Sequence, residues 1–397
     1  MGSSPWLRLT ALVASAATLL AVISGAASLG TAHDLLSALA MPPLAAIAVA
    51  AALGQRRLLP AALTAVVLFG AAALLTTPGI HLAAAAAAFA ATAVLTALVH
   101  RSAAPVPREP FLQTARDYLT LTKPRVMTLL LLTGACGMFV GAGGVPAVGD
   151  LAPMLAGLAL ACGGASALNH VLDRDIDSLM GDRTRRRPVT AGRVPPSFAL
   201  EFGLTLSAFS FVLLAGLVNV LTAALALVGN LFYVLVYTRW LKRATPQNIV
   251  IGGAAGAVPP VVGWAAATGD VAVPALLLFL IVFFWTPPHF WALALLIKRD
   301  YAAAGIPMLP VVRGDRATAK QILLYSVALV AVTAAPFAWG TLGLVYLVAA
   351  LVLGAGFVWL ALELARHVTR RRAAILFHSS LLYLALLFVA AAVDPIV

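Results

Sequence analysis

Apolar runs of about twenty residues recur along the whole of this 397-residue chain, and no other feature limits its fold so strongly. A helix needs about 20 mostly apolar residues to cross the hydrocarbon core of a bilayer. Thirteen candidate spans can be drawn. Four, at about 7–29, 36–54, 59–77 and 80–99, precede a polar stretch. Nine follow it, at about 126–145, 151–176, 197–216, 219–238, 249–266, 271–295, 321–340, 343–362 and 374–393. Hydrophobic residues form 62% of the chain and charged residues 10%, more apolar side chain than a soluble domain of this length can hide. The expected fold class is an all-α polytopic membrane protein. Nucleic-acid binding is excluded, because no soluble domain is left to carry a basic face.

The polar stretch RSAAPVPREPFLQTARDYLTLTKPR is rich in proline and charge and reads as a boundary. It divides the chain into an N-terminal membrane extension (1–100), a linker with an amphipathic entry (101–125) and a helical bundle (126–397). The net charge of +12 follows topology. With the spans as drawn, all 26 Lys and Arg fall on one side, while opposite loops such as GAGGVPAVGD and AATGDVAV hold none. Basic residues stay in the cytoplasm, so the N-terminus and the basic loops are expected there. Arg8, a short apolar run and GAAS near residue 28 also fit a cleaved signal peptide; a retained helix is the preferred reading, because three more spans follow closely. Cys136 and Cys162 lie inside apolar runs without metal or redox spacing and read as small buried hydrophobes.

Acid is scarce and concentrated. Of 14 Asp and Glu, four (Asp173, Asp175, Asp177 and Asp182) fall within NHVLDRDIDSLMGDRTRRRP, residues 169–188. The run from Leu151 is expected to stay helical to about Gly181. Asn169, Asp173 and Asp177 are then i, i+4 and i+8, within roughly 80° of each other on one face, and Asp175 points nearly the opposite way. Like charges one turn apart at a membrane edge call for a cation. Hard oxygen ligands suit Mg²⁺, which takes one or two carboxylates and completes its shell with phosphate oxygens. The following arginines, Arg183, Arg185, Arg186 and Arg187, suit phosphate. Acids for a metal beside cations for an anion point to a diphosphate site. Arg185, Arg186 and Arg193 read as ordinary topological anchors.

The pattern NxxxDxxxD followed by RTxxRP resembles the first signature of the UbiA superfamily of intramembrane prenyltransferases, and the nine later spans resemble that family's nine-helix bundle. The resemblance covers about 116–397; the four extra N-terminal helices lie outside it. It implies that Asn169, Asp173 and Asp177 are catalytic, that Asp173 and Asp177 hold Mg²⁺, and that Lys123, Arg183 and Arg187 meet the diphosphate of an isoprenoid donor. A second paired DxxxD is missing; the matching cytoplasmic segments offer only the lone acids Asp300 and Asp315.

Three segments, LTKPRV (121–126), YTRWLKRATPQNIVIGGAAGAVPPVVGW and WTPPHFWALALLIKRDYAAAGIPMLPVV, resemble the heme O synthase branch. That branch implies transfer of a farnesyl group from farnesyl diphosphate to a vinyl group of protoheme IX with addition of water. Membrane lipids surround it, and heme A synthase or terminal oxidase assembly factors are the partners it suggests. Heme is a flat apolar disc with two carboxylates. Arg239, Lys242 and Arg243 at a membrane edge suit its propionates, and Asn248 begins the next helix. Gly252, Gly253 and Gly256 thin that helix face, either for helix packing or for a flat ligand. His289 follows Pro287-Pro288, which must kink or break the helix. It could bond backbone freed by the prolines, ligate iron or take a proton. Trp285, Phe290 and Trp291 could line a pocket or simply pack. His33, His81 and His100 in the extension carry only a weak suggestion of heme ligation. Two other readings stand beside this one: a prenyltransferase for an aromatic quinone precursor, and a heme-handling or transport protein without chemistry.

Overall fold

The computed structural model describes residues 111–397 and, before them, only Ala11, Ala14, Thr18 and Thr92. The expected N-terminal spans and His33, His81 and His100 lie outside the described residues, as does the side chain of Arg183. Every element among the described residues is helical. A short amphipathic helix α1 (Phe111–Leu121) leads into α2 (Pro124–Ala142) and α3 (Val148–Leu172). Two short helices follow, α4 (Arg174–Leu179) and α5 (Asp182–Arg185), and then α6 (Pro196–Leu217). Helix α7 (Val220–Leu231) continues through a π-helical segment (Phe232–Leu241) and a last turn (Lys242–Ala244). The chain ends with α8 (Asn248–Thr268), α9 (Val273–Leu296), α10 (Lys298–Ala303), α11 (Leu309–Ala338), α12 (Leu344–Arg366) and α13 (Arg370–Val393). Among the described residues, nine helices are long and apolar enough to cross a membrane.

Small residues set the helix spacing, as expected where lipid removes the hydrophobic drive between helices. Helices α2 and α8 meet so closely that a Cβ on Gly263 would lie 1.8 Å from the Gly134 carbonyl oxygen, and one on Gly137 would lie 2.2 Å from that of Pro260. Gly157 is filled by Leu214 of α6, and Gly164 faces Gly203 and Ser207. The C-terminus is pinned by Asp394, whose carboxylate accepts from the Gly343 and Tyr346 amides at the start of α12.

Three local expectations change. The helix expected to reach Gly181 breaks at Asp173, which closes α3 and opens α4. The Asp177 amide still donates to the Asp173 carbonyl at 2.8 Å, so the stripe survives the break. Of the kink or break expected at the prolines of α9, the break does not occur: Pro287 and Pro288 lie inside a continuous helix. Helix α11 starts at Leu309, a full twelve residues before the expected 321, and bends at Gly314, whose φ of 79° only glycine adopts easily.

Candidate active site

The end of α3, the entry to α2 and the end of α7 converge on the acidic stripe. Lys123 joins α1 to α2 with a left-handed backbone (φ 50°), a conformation costly for a residue with a side chain. Pro124 holds the next position open as a helix start. This turn lets Lys123 donate from Nζ to Asn169 Oδ1 at 2.7 Å. The Asn169 amide nitrogen then donates to Asp173 Oδ2 at 2.8 Å and to Thr238 Oγ1 at 3.1 Å. Lys242 Nζ reaches the same Asp173 oxygen at 2.6 Å. Thr238 and Lys242, four residues apart at the end of α7, face α3 together. Arg187 donates to both oxygens of Asp177 at 2.7 Å.

Both carboxylates are almost fully buried, with Asp173 0% and Asp177 1% exposed. Burial holds the Asp177 carboxyl above its ordinary value, opposed by Arg187. Burial, reinforced by Arg187, pulls the Lys123 ammonium down to about 7. One oxygen in the cluster remains over: Asp173 Oδ1 is buried and has no hydrogen-bond partner. Such an orphan is costly and invites a ligand. Among the described residues no group of three or more His, Cys, Asp or Glu could hold a metal by itself. Two carboxylates, one with an unpartnered oxygen, are donors that fit a hard cation sharing its shell with phosphate.

Asp175 faces away, as expected. It pairs with Arg243 at 2.6 Å near the surface, and that bond pulls its carboxyl down to about 2. Arg243 also donates to the Leu172 carbonyl. The three basic residues expected at heme are thus separated. Lys242 is held by Asp173, Arg243 by Asp175, and Arg239 stands exposed without an ion pair among the described residues. Asn248 is fully buried, and both amide atoms lack partners. Gly252 is closed by the Tyr237 ring and Gly253 by Thr286, so both serve packing, whereas Gly256 faces open space.

His289 does not bond the backbone freed by the prolines. Its Nδ1 lies 2.6 Å from Ser380 Oγ of α13. Its ring stacks between Trp285 and Phe377, with centroids at 4.4 and 4.8 Å. Trp285 donates to the Ser380 carbonyl, and Trp291 meets Tyr325 edge-on. Asp315 pairs with Lys298. Asp300 lies opposite the acidic loop, where a Cβ on Gly181 would come 3.1 Å from its Oδ2.

Sequence reasoning missed three contributors, Thr238, Arg193 and His170, and expected a fourth, Lys242, at the heme propionates. Lys242 and Thr238 lie 69 residues from their partners. Arg193, read as an anchor, forks onto Asp117 and ties α1 to the loop after α5. His170 is 2% exposed beside Asn169; its place three residues before Asp173 and seven before Asp177 was a signal available in the sequence.

The sequence model of the UbiA prenyltransferase family matches residues 130–388, well over half of the chain. The chain belongs to the UbiA prenyltransferase family. It is 54% identical over 284 residues to a protoheme IX farnesyltransferase of Symbiobacterium thermophilum, covering 71% of this chain and 95% of that one. It is 52% identical over 282 residues to a protein of that name from Roseiflexus, of which it spans only 53%. Among solved structures, a digeranylgeranylglyceryl phosphate synthase aligns over 72% of this chain and 99% of that one, with TM-score 0.60 and 17% identity. A UbiA homolog from Archaeoglobus fulgidus bound to GPP and Mg²⁺ aligns over 69% of this chain and 99% of that one, with TM-score 0.50 and 18% identity. At these identities the structural likeness speaks for the fold alone.

Proposed function

We propose that this UbiA-family enzyme transfers the farnesyl group of farnesyl diphosphate to a vinyl group of protoheme IX, with addition of water, giving heme O and diphosphate. The observation that carries the diphosphate half is the buried Asp173–Asp177 pair, ringed by Lys123, Lys242 and Arg187 and left with one unpartnered oxygen. The acceptor half rests on relatives of about half-identical sequence that carry the protoheme IX farnesyltransferase name. A basic, amide-bearing second region without paired acids agrees with them and disfavours the quinone-precursor reading.

Asp173 and Asp177 would hold Mg²⁺, which when bound neutralises charge on the leaving diphosphate; the Archaeoglobus homolog was solved with GPP and Mg²⁺. Lys123 and Arg187 bind the phosphate oxygens, and Arg183 is assigned with them from the sequence. Asn169 orients Asp173 and Lys123 through its two amide bonds. As the C1–O bond of the donor breaks, these cations stabilise the charge that develops on the diphosphate. The helix walls exclude water while the allylic cation lives. The vinyl π electrons form the new C–C bond, and water then adds to the cation left on the former vinyl group, losing a proton to leave a hydroxyl. Arg239, exposed and without an ion pair among the described residues, is the proposed partner for a propionate; Arg243 and Lys242 would have to leave Asp175 and Asp173 to join it. Asn248, buried and unpartnered, and His289, held in its aromatic sandwich, are proposed on the heme side. The reacting face lies with the basic loops at the cytoplasmic side of the membrane.

The test is turnover of protoheme and farnesyl diphosphate by membranes carrying Asp173→Asn or Asp177→Asn. Loss of product with normal membrane insertion is expected; wild-type turnover in both variants would overturn the site.

A further inference from the structure

His170 has no role in the scheme above, and its surroundings are unusual. It lies one residue from Asn169 and is 2% exposed. Neither Nδ1 nor Nε2 has a hydrogen-bond partner. An imidazole offers at least one N–H donor and, when neutral, one acceptor nitrogen. Leaving both unmade inside a protein is destabilising, because each group has given up its bonds to water. A packing role alone would be filled better by an apolar side chain.

The helix places the ring. Ser166, His170, Asp173 and Asp177 are spaced at i, i+4, i+7 and i+11, which puts them along one side of α3 and its continuation. Ser166 donates to the Leu121 carbonyl, so this side faces the turn that carries Lys123. One turn further on, His170 has Lys123 and Arg187 as its charged neighbours. These are the two cations assigned to the diphosphate. The orphaned Asp173 Oδ1 lies three residues on. Unmade bonds from two side chains therefore lie on the same side of the helix, where an anion and its counter-ion are expected. The alternative ligand, a metal bound directly by His170, is disfavoured, since a hard cation such as Mg²⁺ takes oxygen ligands and the charged groups around the ring are Lys123 and Arg187.

We propose that His170 is a further substrate-binding residue, donating a ring N–H to a phosphoryl oxygen of the prenyl diphosphate between Lys123 and Arg187. The inference rests on the diphosphate reading of the site. It requires only the N–H and no change of protonation. The bond forms with the diphosphate group, so it strengthens donor binding and leaves the acceptor untouched.

The test uses the full chain in lipid nanodiscs, with inorganic pyrophosphate and Mg²⁺ as the binding probe and farnesyl diphosphate and protoheme for turnover. His170→Phe keeps a ring without a donor, and His170→Gln restores a donor. His170→Phe should weaken pyrophosphate binding and raise KM for farnesyl diphosphate about tenfold, the effect of one hydrogen bond to a charged group. KM for protoheme should not change, and His170→Gln should recover to within about threefold. Equal pyrophosphate affinity in wild type and His170→Phe, or an equal rise in both KM values, would overturn the proposal. Should His170→Phe fail to fold, ¹⁵N-histidine spectra of the wild type decide. The ring signal missing from the His170→Gln spectrum must shift on adding pyrophosphate, and a signal that stays in place overturns the inference. Failure of the wild type to bind pyrophosphate at all would instead refute the diphosphate reading beneath it.

Discussion

Replacing Lys242 by methionine removes the ammonium 2.6 Å from Asp173 while keeping the length of the side chain. The pair is buried, with side-chain exposures of 11% and 1%. Removing one partner of a buried pair costs about 3–5 kcal/mol, because the other charge is left uncompensated. Asp173 keeps only the Asn169 amide in Lys242→Met, since its second oxygen already lacks a partner. The cost should therefore fall in that range for metal-free protein. Mg²⁺ at about one hundred times its dissociation constant returns about 2.7 kcal/mol by linkage. Asp173→Asn removes the stranded charge, so Lys242→Met/Asp173→Asn should be less destabilised than the sum of the single changes by about 2–3 kcal/mol. The assay is unfolding of the detergent-solubilised chain, with and without Mg²⁺, around the full double-mutant cycle. Additive effects, or a loss below about 1 kcal/mol for Lys242→Met, would refute the assignment of Lys242 as the counter-charge of Asp173.

Other consequences follow from single contacts. Gly263→Ala puts a methyl into the Gly134 backbone at 1.8 Å and should prevent stable packing of α2 on α8, seen as loss of folded protein on size-exclusion chromatography. Asp175→Ala removes a largely exposed pair with Arg243 and should change stability by less than about 1 kcal/mol and turnover less than twofold, measured by unfolding and product assay. Lys123 sits near 7 in the substrate-free protein, and a bound anion favours its charged form. Diphosphate binding at pH 8 should therefore take up a proton that is already present at pH 6, so affinity falls as pH rises through 7. Calorimetry in buffers of different ionisation enthalpy measures this, and Lys123→Gln should abolish the uptake.

Much of this architecture was legible in the sequence because the bilayer writes its constraint into every span. The nine bundle helices and the acidic stripe follow from local periodicity and from the exclusion of charge from lipid. What was hidden depends on contacts between distant segments. Nothing local in YTRWLKR shows that Lys242 pairs with Asp173, 69 residues away. The fork of Arg193 on Asp117 likewise joins residues 76 apart. The break at Asp173 was missed because no Pro or Gly marks it, and of the kink or break expected at the double proline of α9 the break does not occur, because Pro287 and Pro288 are accommodated within a continuous helix. Ser380, which fixes His289, sits in the last helix of the chain, where no motif announces it.

Farnesyl transfer to heme is read out by mass analysis of the heme recovered after membranes carrying this chain are incubated with protoheme IX, farnesyl diphosphate and Mg²⁺. The expected product is heavier than protoheme by one farnesyl group and one hydroxyl and forms in step with released diphosphate. Unmodified heme, with diphosphate released only when an aromatic quinone precursor is supplied, would contradict it.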